Sequence, residues 1–289
     1  MQNAEFISIT AFLQAKRASN LSDNTIISYQ YHLRQWWQYL CRNNIDSVTE
    51  PDVIAYFVYL RSLNYAASTL RDKYTALHAL FRFSGRENLL QHIRKPEPSP
   101  QARAFTDIEL SRIFMALTDR DGFVAERDYC IVSLLLGTGI RKSELLNIDI
   151  DDISEYITVT GKGNKTRKVP LSATLQRIIY RYLQKRSEIA VEPRKLFLNR
   201  EGYPLTQNGV RAIFTRLQKK TGIPGKRFSP HTFRHTYATN FLKAGGSIAS
   251  LQRILGHNDI QTTMIYCNWD DDQTKIENDR FCPLDKFVI

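Results

Sequence analysis

The stretch KPEPSPQAR, residues 95–103, sets the strongest limit on how this chain can fold. Its three prolines, Pro96, Pro98 and Pro100, remove backbone donors and clash with any preceding helical turn. Each also pushes the residue before it toward an extended conformation. No helix passes through such a segment, so the 289 residues are cut into roughly one third and two thirds. With 43% hydrophobic residues, each piece can bury a core of its own. The expected organisation is a domain over 1–94, a linker over 95–103 and a second domain over 104–289.

The first piece reads as four or so packed helices. In NTIISYQYHLRQWWQYLC, one apolar face is formed by Ile26, Tyr29, Leu33, Trp36 or Trp37, and Leu40, with Gln and Arg opposite. EPDVIAYFVYLRSL and AASTLRDKYTALHALFRFSG repeat the pattern. In the second piece, Thr106 and Glu109 of FTDIELSRIFMAL form a capping-box signal at a helix start. RDYCIVSLLLGTGI is too apolar for a surface helix, and its GTG ends it, leaving Arg141 just beyond a buried segment. EYITVTGKGNKTRKVPLS alternates β-branched residues on both sides of a Gly-rich turn, a hairpin whose tip carries Lys162 and Lys165. The remainder is helical, with Ser, Asn or Gly at the boundaries. The expected fold is mainly α: an N-terminal helical domain and an α+β domain with a small β-hairpin.

Charge narrows the function. The chain carries +11 at pH 7, with 11 Lys and Arg against 7 Asp and Glu up to residue 95, and 29 against 22 beyond it. Both pieces therefore favour a polyanion such as nucleic acid. A run of about 18 apolar residues is missing, as is a basic N-terminus followed by an apolar segment, which points away from a membrane span or secretory signal and toward the cytoplasm. Cys41, Cys130, Cys267 and Cys282 lack CxxC spacing and read as reduced, structural thiols.

HTFRHTYATNFLKAGG is the most informative helix. Ser229 at the N-cap and Pro230 after it put His231, Arg234 and His235 in the first two turns, where free amides and the helix dipole favour an anion. His231 and His235 also have the i, i+4 spacing of zinc ligands. The glutamate of an HExxH motif is missing, however, and Arg234 between them repels a cation. Downstream, LGHNDIQTTMIY supplies His257 directly after Gly256 and then Tyr266.

At these residues the chain resembles the tyrosine recombinases, the phage-integrase and Xer family. GTGIRKSELL matches the first box at Arg141 and Glu144, and GKGNKTRKVPL matches the hairpin lysine at Lys162. HTFRHTYAT matches the H-x-x-R box at His231 and Arg234, LGH matches at His257, and TTMIY matches the nucleophile at Tyr266. The order and spacings are those of the family, and LSDNTIISYQYHLRQWWQYL resembles the opening helix of its core-binding domain. The resemblance covers nearly the whole chain.

It implies a site-specific DNA recombinase with no metal or other cofactor, since two arginines, Arg141 and Arg234, would neutralise the charge of a phosphodiester and its transition state. Tyr266 would be the nucleophile and His231 its base, and Lys162 would protonate the leaving 5′-oxygen, with Lys165 close enough to compete for that role. His257 would hydrogen-bond the phosphate, Glu144 would orient a catalytic neighbour, and His235 is left without an assigned part. The implied partners are duplex DNA, gripped by two basic domains as a C-shaped clamp, and three further copies of the chain. The tail from about residue 267 ends in Phe281, Leu284, Phe287, Val288 and Ile289, an apolar end suited to docking on a neighbouring protomer. Opening directly on core-binding helices leans toward an Xer-like or transposon-resolving enzyme. Two other readings stand beside this one. A catalytically silent DNA-binding regulator of the same fold should lack a clamp residue or the nucleophile; a type IB topoisomerase-like nicking-closing enzyme should act as a monomer.

Overall fold

The structure, a computed structural model, describes residues 3–266 apart from 20, 98–102, 120, 162–163, 190–193, 258–260 and 265. Lys162, Cys267, Cys282 and the tail beyond Tyr266 lie outside the described residues. Chain contacts divide the molecule into two units, Met1–Gln101 and Ala102–Ile289, which meet within the Pro-rich stretch.

The apolar periodicity of the first unit becomes four helices, α1 (Asn3–Ala18), α2 (Asp23–Arg42), α3 (Glu50–Ser62) and α4 (Ala67–Phe83), followed by a 3-10 turn at Glu87–Leu90. Helix α2 buries Ile26, Leu33, Trp36 and Leu40, so of the tryptophan pair it is Trp36 that enters the core, while Trp37 and Tyr29 pack at its margin. Trp36 meets the Tyr56 ring edge-on at 4.9 Å, and its indole N–H donates to the buried carboxylate of Glu5 at 3.3 Å. Arg86 donates to the other Glu5 oxygen at 2.9 Å, which neutralises the one buried acid of α1.

The second unit is built around α6 (Phe123–Thr138), which packs against α5 (Asp107–Thr118), α8 (Ala173–Ser187) and α10 (Pro230–Lys243). Being surrounded, it is buried almost continuously over residues 130–135, as an unbroken apolar run requires. Gly139 ends it at φ +62°, and a side chain there would approach the Tyr237 ring to 2.5 Å. After the short α7 (Lys142–Asn147), β1 (Tyr156–Thr160) and β2 (Thr166–Pro170) form an antiparallel hairpin in register from Tyr156↔Pro170 to Thr160↔Thr166. Its inward face carries Ile157, Val159 and Val169, and Arg167 lies in phase with Val169. Helices α9 (Gln207–Thr221), α11 (Ile248–Leu255) and α12 (Gln261–Met264) complete the unit.

The caps expected from sequence are formed: the side chains of Thr106, Ser172, Thr206, Ser229 and Ser247 accept backbone N–H groups, and Gly222 and Gly256 close α9 and α11 in the left-handed conformation. No described helix is long and apolar enough to cross a membrane. Among the described residues the architecture is thus mainly helical with one two-stranded sheet.

Candidate active site

Four parts of the chain far apart in sequence converge beside the C-terminal end of α11: the α6–α7 turn, strand β2, the first turns of α10, and the residues His257, Thr263 and Tyr266. The α6–α7 turn presents Arg141, whose own backbone N–H donates to Glu144 Oε2 at 2.8 Å while its guanidinium donates to Glu144 Oε1 at 2.9 Å. The Arg141 side chain is 39% exposed, so its outer edge remains open to a ligand.

Glu144 is fully enclosed and is shared by a second arginine. Arg167, on β2, donates to both of its oxygens, at 2.7 and 2.9 Å, and sends its Nε–H to the Ile254 carbonyl at 2.7 Å. Burial raises the Glu144 pKa, but hydrogen bonds from Arg167 and Arg141 and the charge of Arg167 reverse this and hold it at about 2. Arg167 carries no part in the sequence reading. The signal for it was its place on the strand: two residues before Val169, it shares the inward face and so needs a buried anion.

Gly256 follows from the same arrangement. At φ +64° it caps α11, and a side chain at this position would meet the Arg167 guanidinium at 2.9 Å. Gly256→Ala is therefore expected to lower the unfolding free energy by about 1–2 kcal/mol, from left-handed strain and displacement of Arg167. Urea denaturation would measure this, and an unchanged midpoint would contradict it.

Arg234 enters from α10 and is almost completely buried, at 4% exposure. Its Nη1 donates to the Gly139 carbonyl at 2.6 Å, and its Nη2 contacts the Leu255 carbonyl at 2.9 Å and His257 Nε2 at 2.8 Å. Burial and the charge of Arg141 lower its pKa to about 10, which leaves it protonated at neutral pH. His257 is held neutral: burial, then the charges of Arg234, Arg141 and Arg167, bring its pKa to about 4.

Tyr266 lies in this same pocket of charge. It is partly buried against the cluster of Ala238, Leu251 and Leu255. Its ring centroid is 5.3 Å from His235 and 6.4 Å from His257. Burial raises its pKa; the charge and a hydrogen bond of Arg234, and the charge of Arg141, offset part of that rise.

The two histidines of HTFRH are thereby separated in role. His235 packs against the tyrosine. His231 is exposed and, among the described residues, forms no hydrogen bond, so its ring is free to meet a ligand. Desolvation by the surrounding protein and the charges of Arg234 and Arg227 lower its pKa from the ordinary histidine value. Of the residues singled out in the sequence, Arg141, Glu144, Arg234, His257 and Tyr266 are joined by these contacts, His231 lies one turn from Arg234, and Lys162 is outside the described residues. Lys165 is exposed, and its carbonyl accepts the Gly161 N–H at 2.9 Å across the hairpin turn.

Comparison with known proteins gives a consistent result. Residues 104–273 match the model of the phage integrase family, and residues 9–88 match that of the phage integrase N-terminal SAM-like domain. Tyrosine recombinase XerC of Listeria monocytogenes serotype 4a (strain HCC23) is 30% identical over 273 residues, covering 88% of this chain and 89% of its own length. The crystal structure of XerH site-specific recombinase bound to difH substrate, a pre-cleavage complex, superposes with a TM-score of 0.74 at 19% identity, covering 94% of each chain. The Tn1549 transposon integrase in complex with transposon right end DNA superposes with a TM-score of 0.75 at 20% identity, covering 95% of this chain and 99% of the integrase chain. The last two likenesses are of fold.

Proposed function

The chain belongs to the phage integrase family of tyrosine recombinases, enzymes that cleave and rejoin DNA at specific sites, and on that premise we propose which residues do the chemistry here. Arg141 and Arg234 bind the non-bridging oxygens of the scissile phosphate. Tyr266 Oη attacks phosphorus as the bond to the 5′-oxygen breaks; the tyrosyl proton passes to His231, and Lys162 supplies the proton that leaves with the 5′-hydroxyl. The product is a 3′-phosphotyrosyl linkage, which retains the energy of the broken diester. A 5′-hydroxyl from a second duplex reverses the step and completes strand exchange through a Holliday junction without ATP.

The observation that carries this reading is the convergence of Arg141, Arg234, His257 and Tyr266 within one chain, with Arg234 bonded to His257 and its charge acting on Tyr266. The electrostatics agree with it. The charges acting on Tyr266 are those of two arginines, Arg234 and Arg141, so the negative charge that develops on its oxygen is stabilised where it forms. Glu144 acts through Arg141, fixing the guanidinium while its exposed edge faces the ligand.

Residues 1–94 serve as the core-binding domain and residues 104–289 as the catalytic domain. Both carry excess positive charge for the phosphates of duplex DNA. The XerH and Tn1549 structures, which contain DNA, support DNA as the partner. Four copies act on two duplexes, and the apolar tail end docks on a neighbouring copy. Truncation before Phe281 is accordingly expected to leave the melting temperature unchanged and to reduce tetramer formation on DNA; normal assembly and recombination by the truncated chain would refute tail docking.

A plasmid carrying two copies of the recognition site, mapped by footprinting the DNA that flanks the gene, tests the function as a whole. Recombinant circles are the expected product. Supercoil relaxation without recombinants would indicate a nicking-closing enzyme, and site occupancy with no change in the DNA would indicate a regulator.

A further inference from the structure

We propose that Thr263 is a positioning residue of this site, whose hydroxyl orients the His257 ring and fixes which ring nitrogen carries the proton. Thr263 is completely buried in α12, three residues ahead of Tyr266, and its Oγ1 lies 2.9 Å from His257 Nδ1. Its carbonyl accepts the Tyr266 N–H at 3.1 Å. One residue therefore ties the backbone of the nucleophile to the imidazole that touches Arg234.

The tautomer follows from the inventory of donors. A guanidinium has no acceptor, so at 2.8 Å from Arg234 Nη2 the His257 Nε2 must offer its lone pair. The neutral ring then carries its proton on Nδ1, and the Thr263 oxygen accepts it. A hydroxyl can also donate. When a phosphate takes over the Arg234 donor, the ring can give its Nδ1 proton to solvent and take one from solvent at Nε2, while the Thr263 O–H turns to donate to Nδ1; this is the form able to hydrogen-bond a phosphate oxygen. Neither a carboxylate nor a methyl group in this place could serve both states. Thr263 touches neither the phosphate nor the reacting atoms; it acts through His257.

The alternative is that Thr263 merely fills space. Thr263→Val keeps the shape and removes the hydroxyl, whereas Thr263→Ser keeps the hydroxyl, so the pair separates the two roles. The first measurement is the 15N spectrum of histidine-labelled free protein, with the His257 signal assigned by its loss in His257→Asn. The wild type and Thr263→Ser should show a single population with protonated Nδ1, whereas Thr263→Val, in which the Nδ1–H has no acceptor, should lose the ring orientation that meets Arg234 and show a mixture of the two tautomers. The second is cleavage of a nicked duplex bearing the mapped site: Thr263→Val should be slower by about tenfold, the effect of one lost hydrogen bond, with DNA affinity unchanged and Thr263→Ser close to wild type. A Thr263→Val protein that keeps the Nδ1 tautomer and the wild-type rate overturns the proposal, as does a serine variant that behaves like the valine variant. The cleavage measurement rests on the recombinase reading and the spectrum does not. Absence of cleavage by the wild type alongside the expected tautomer shift would therefore count against that reading and leave the role of Thr263 standing.

Discussion

Tyr266→Phe should abolish covalent attachment to DNA and lower strand exchange by at least about 10³-fold while leaving the fold intact. The phenyl ring keeps the packing of Tyr266 against His235, at 5.3 Å between centroids, and against Leu251 and Leu255. What disappears is one partly buried hydroxyl under the influence of the Arg234 charge. Stability should therefore change by no more than about 1 kcal/mol. Binding to the recognition site should also persist, because Arg141 and Arg234 remain. Chemical denaturation, a gel-shift titration and a recombination assay on the same preparation separate the three quantities. Recombination by the phenylalanine variant at the wild-type rate would remove Tyr266 from the mechanism.

Glu144→Ala should be the most destabilising single change within the site. Its carboxylate is fully buried and takes two hydrogen bonds from Arg167, whose side chain is 15% exposed, and two from Arg141, whose side chain is 39% exposed. Removing it strands the Arg167 charge in the interior, and breaking a buried pair in this way costs about 3–5 kcal/mol. Because Arg141 is partly open to water, the lower end of that range is expected. Recombination should fall by about 10²-fold as Arg141 loses its orientation.

The same carboxylate gives the protein a defined acid sensitivity. Its folded-state pKa of about 2 lies below the ordinary 4.5, so folding favours the ionised form. The stabilisation is present above pH 4.5 and is lost as pH falls toward about 2. Its size is about 3 kcal/mol by linkage. Urea midpoints measured between pH 5 and pH 2 should fall more steeply for the wild type than for Glu144→Ala, and parallel curves would contradict the assignment.

Much of this is legible in the amino-acid sequence. Local signals sufficed for the elements: the capping box at Thr106 and Glu109, the apolar run of α6, the Gly-rich turn between β-branched stretches, and the Ser229–Pro230 start of α10 all act within a few residues. Arg141, Glu144, Arg234, His257 and Tyr266, which the fold brings together, were singled out in the sequence through motifs that resemble those of the tyrosine recombinases. What the linear chain conceals is pairing at long range. That Glu144 is shared with Arg167 depends on β2 crossing the end of α11, where Arg167 also holds the Ile254 carbonyl. The part of Thr263 appears only when its turn is laid against His257. In the sequence only the H-x-x-R match distinguishes His231 from His235; the fold packs His235 against Tyr266 and leaves His231 exposed. Arg141 and Arg234 look alike in sequence, yet one stays open to a ligand and the other is enclosed by carbonyls.

The most direct test of the mechanism is to identify the atom that joins DNA. A duplex bearing the mapped site, nicked so that the cleaved end diffuses away, is incubated with the full chain, and the trapped species is digested with protease and nuclease for mass spectrometry. The expected result is a nucleotide attached through a 3′-phosphate to the peptide containing Tyr266, with a free 5′-hydroxyl on the released strand. Attachment to another residue, linkage through a 5′-phosphate, or cleavage that leaves no covalent protein–DNA species would contradict the mechanism.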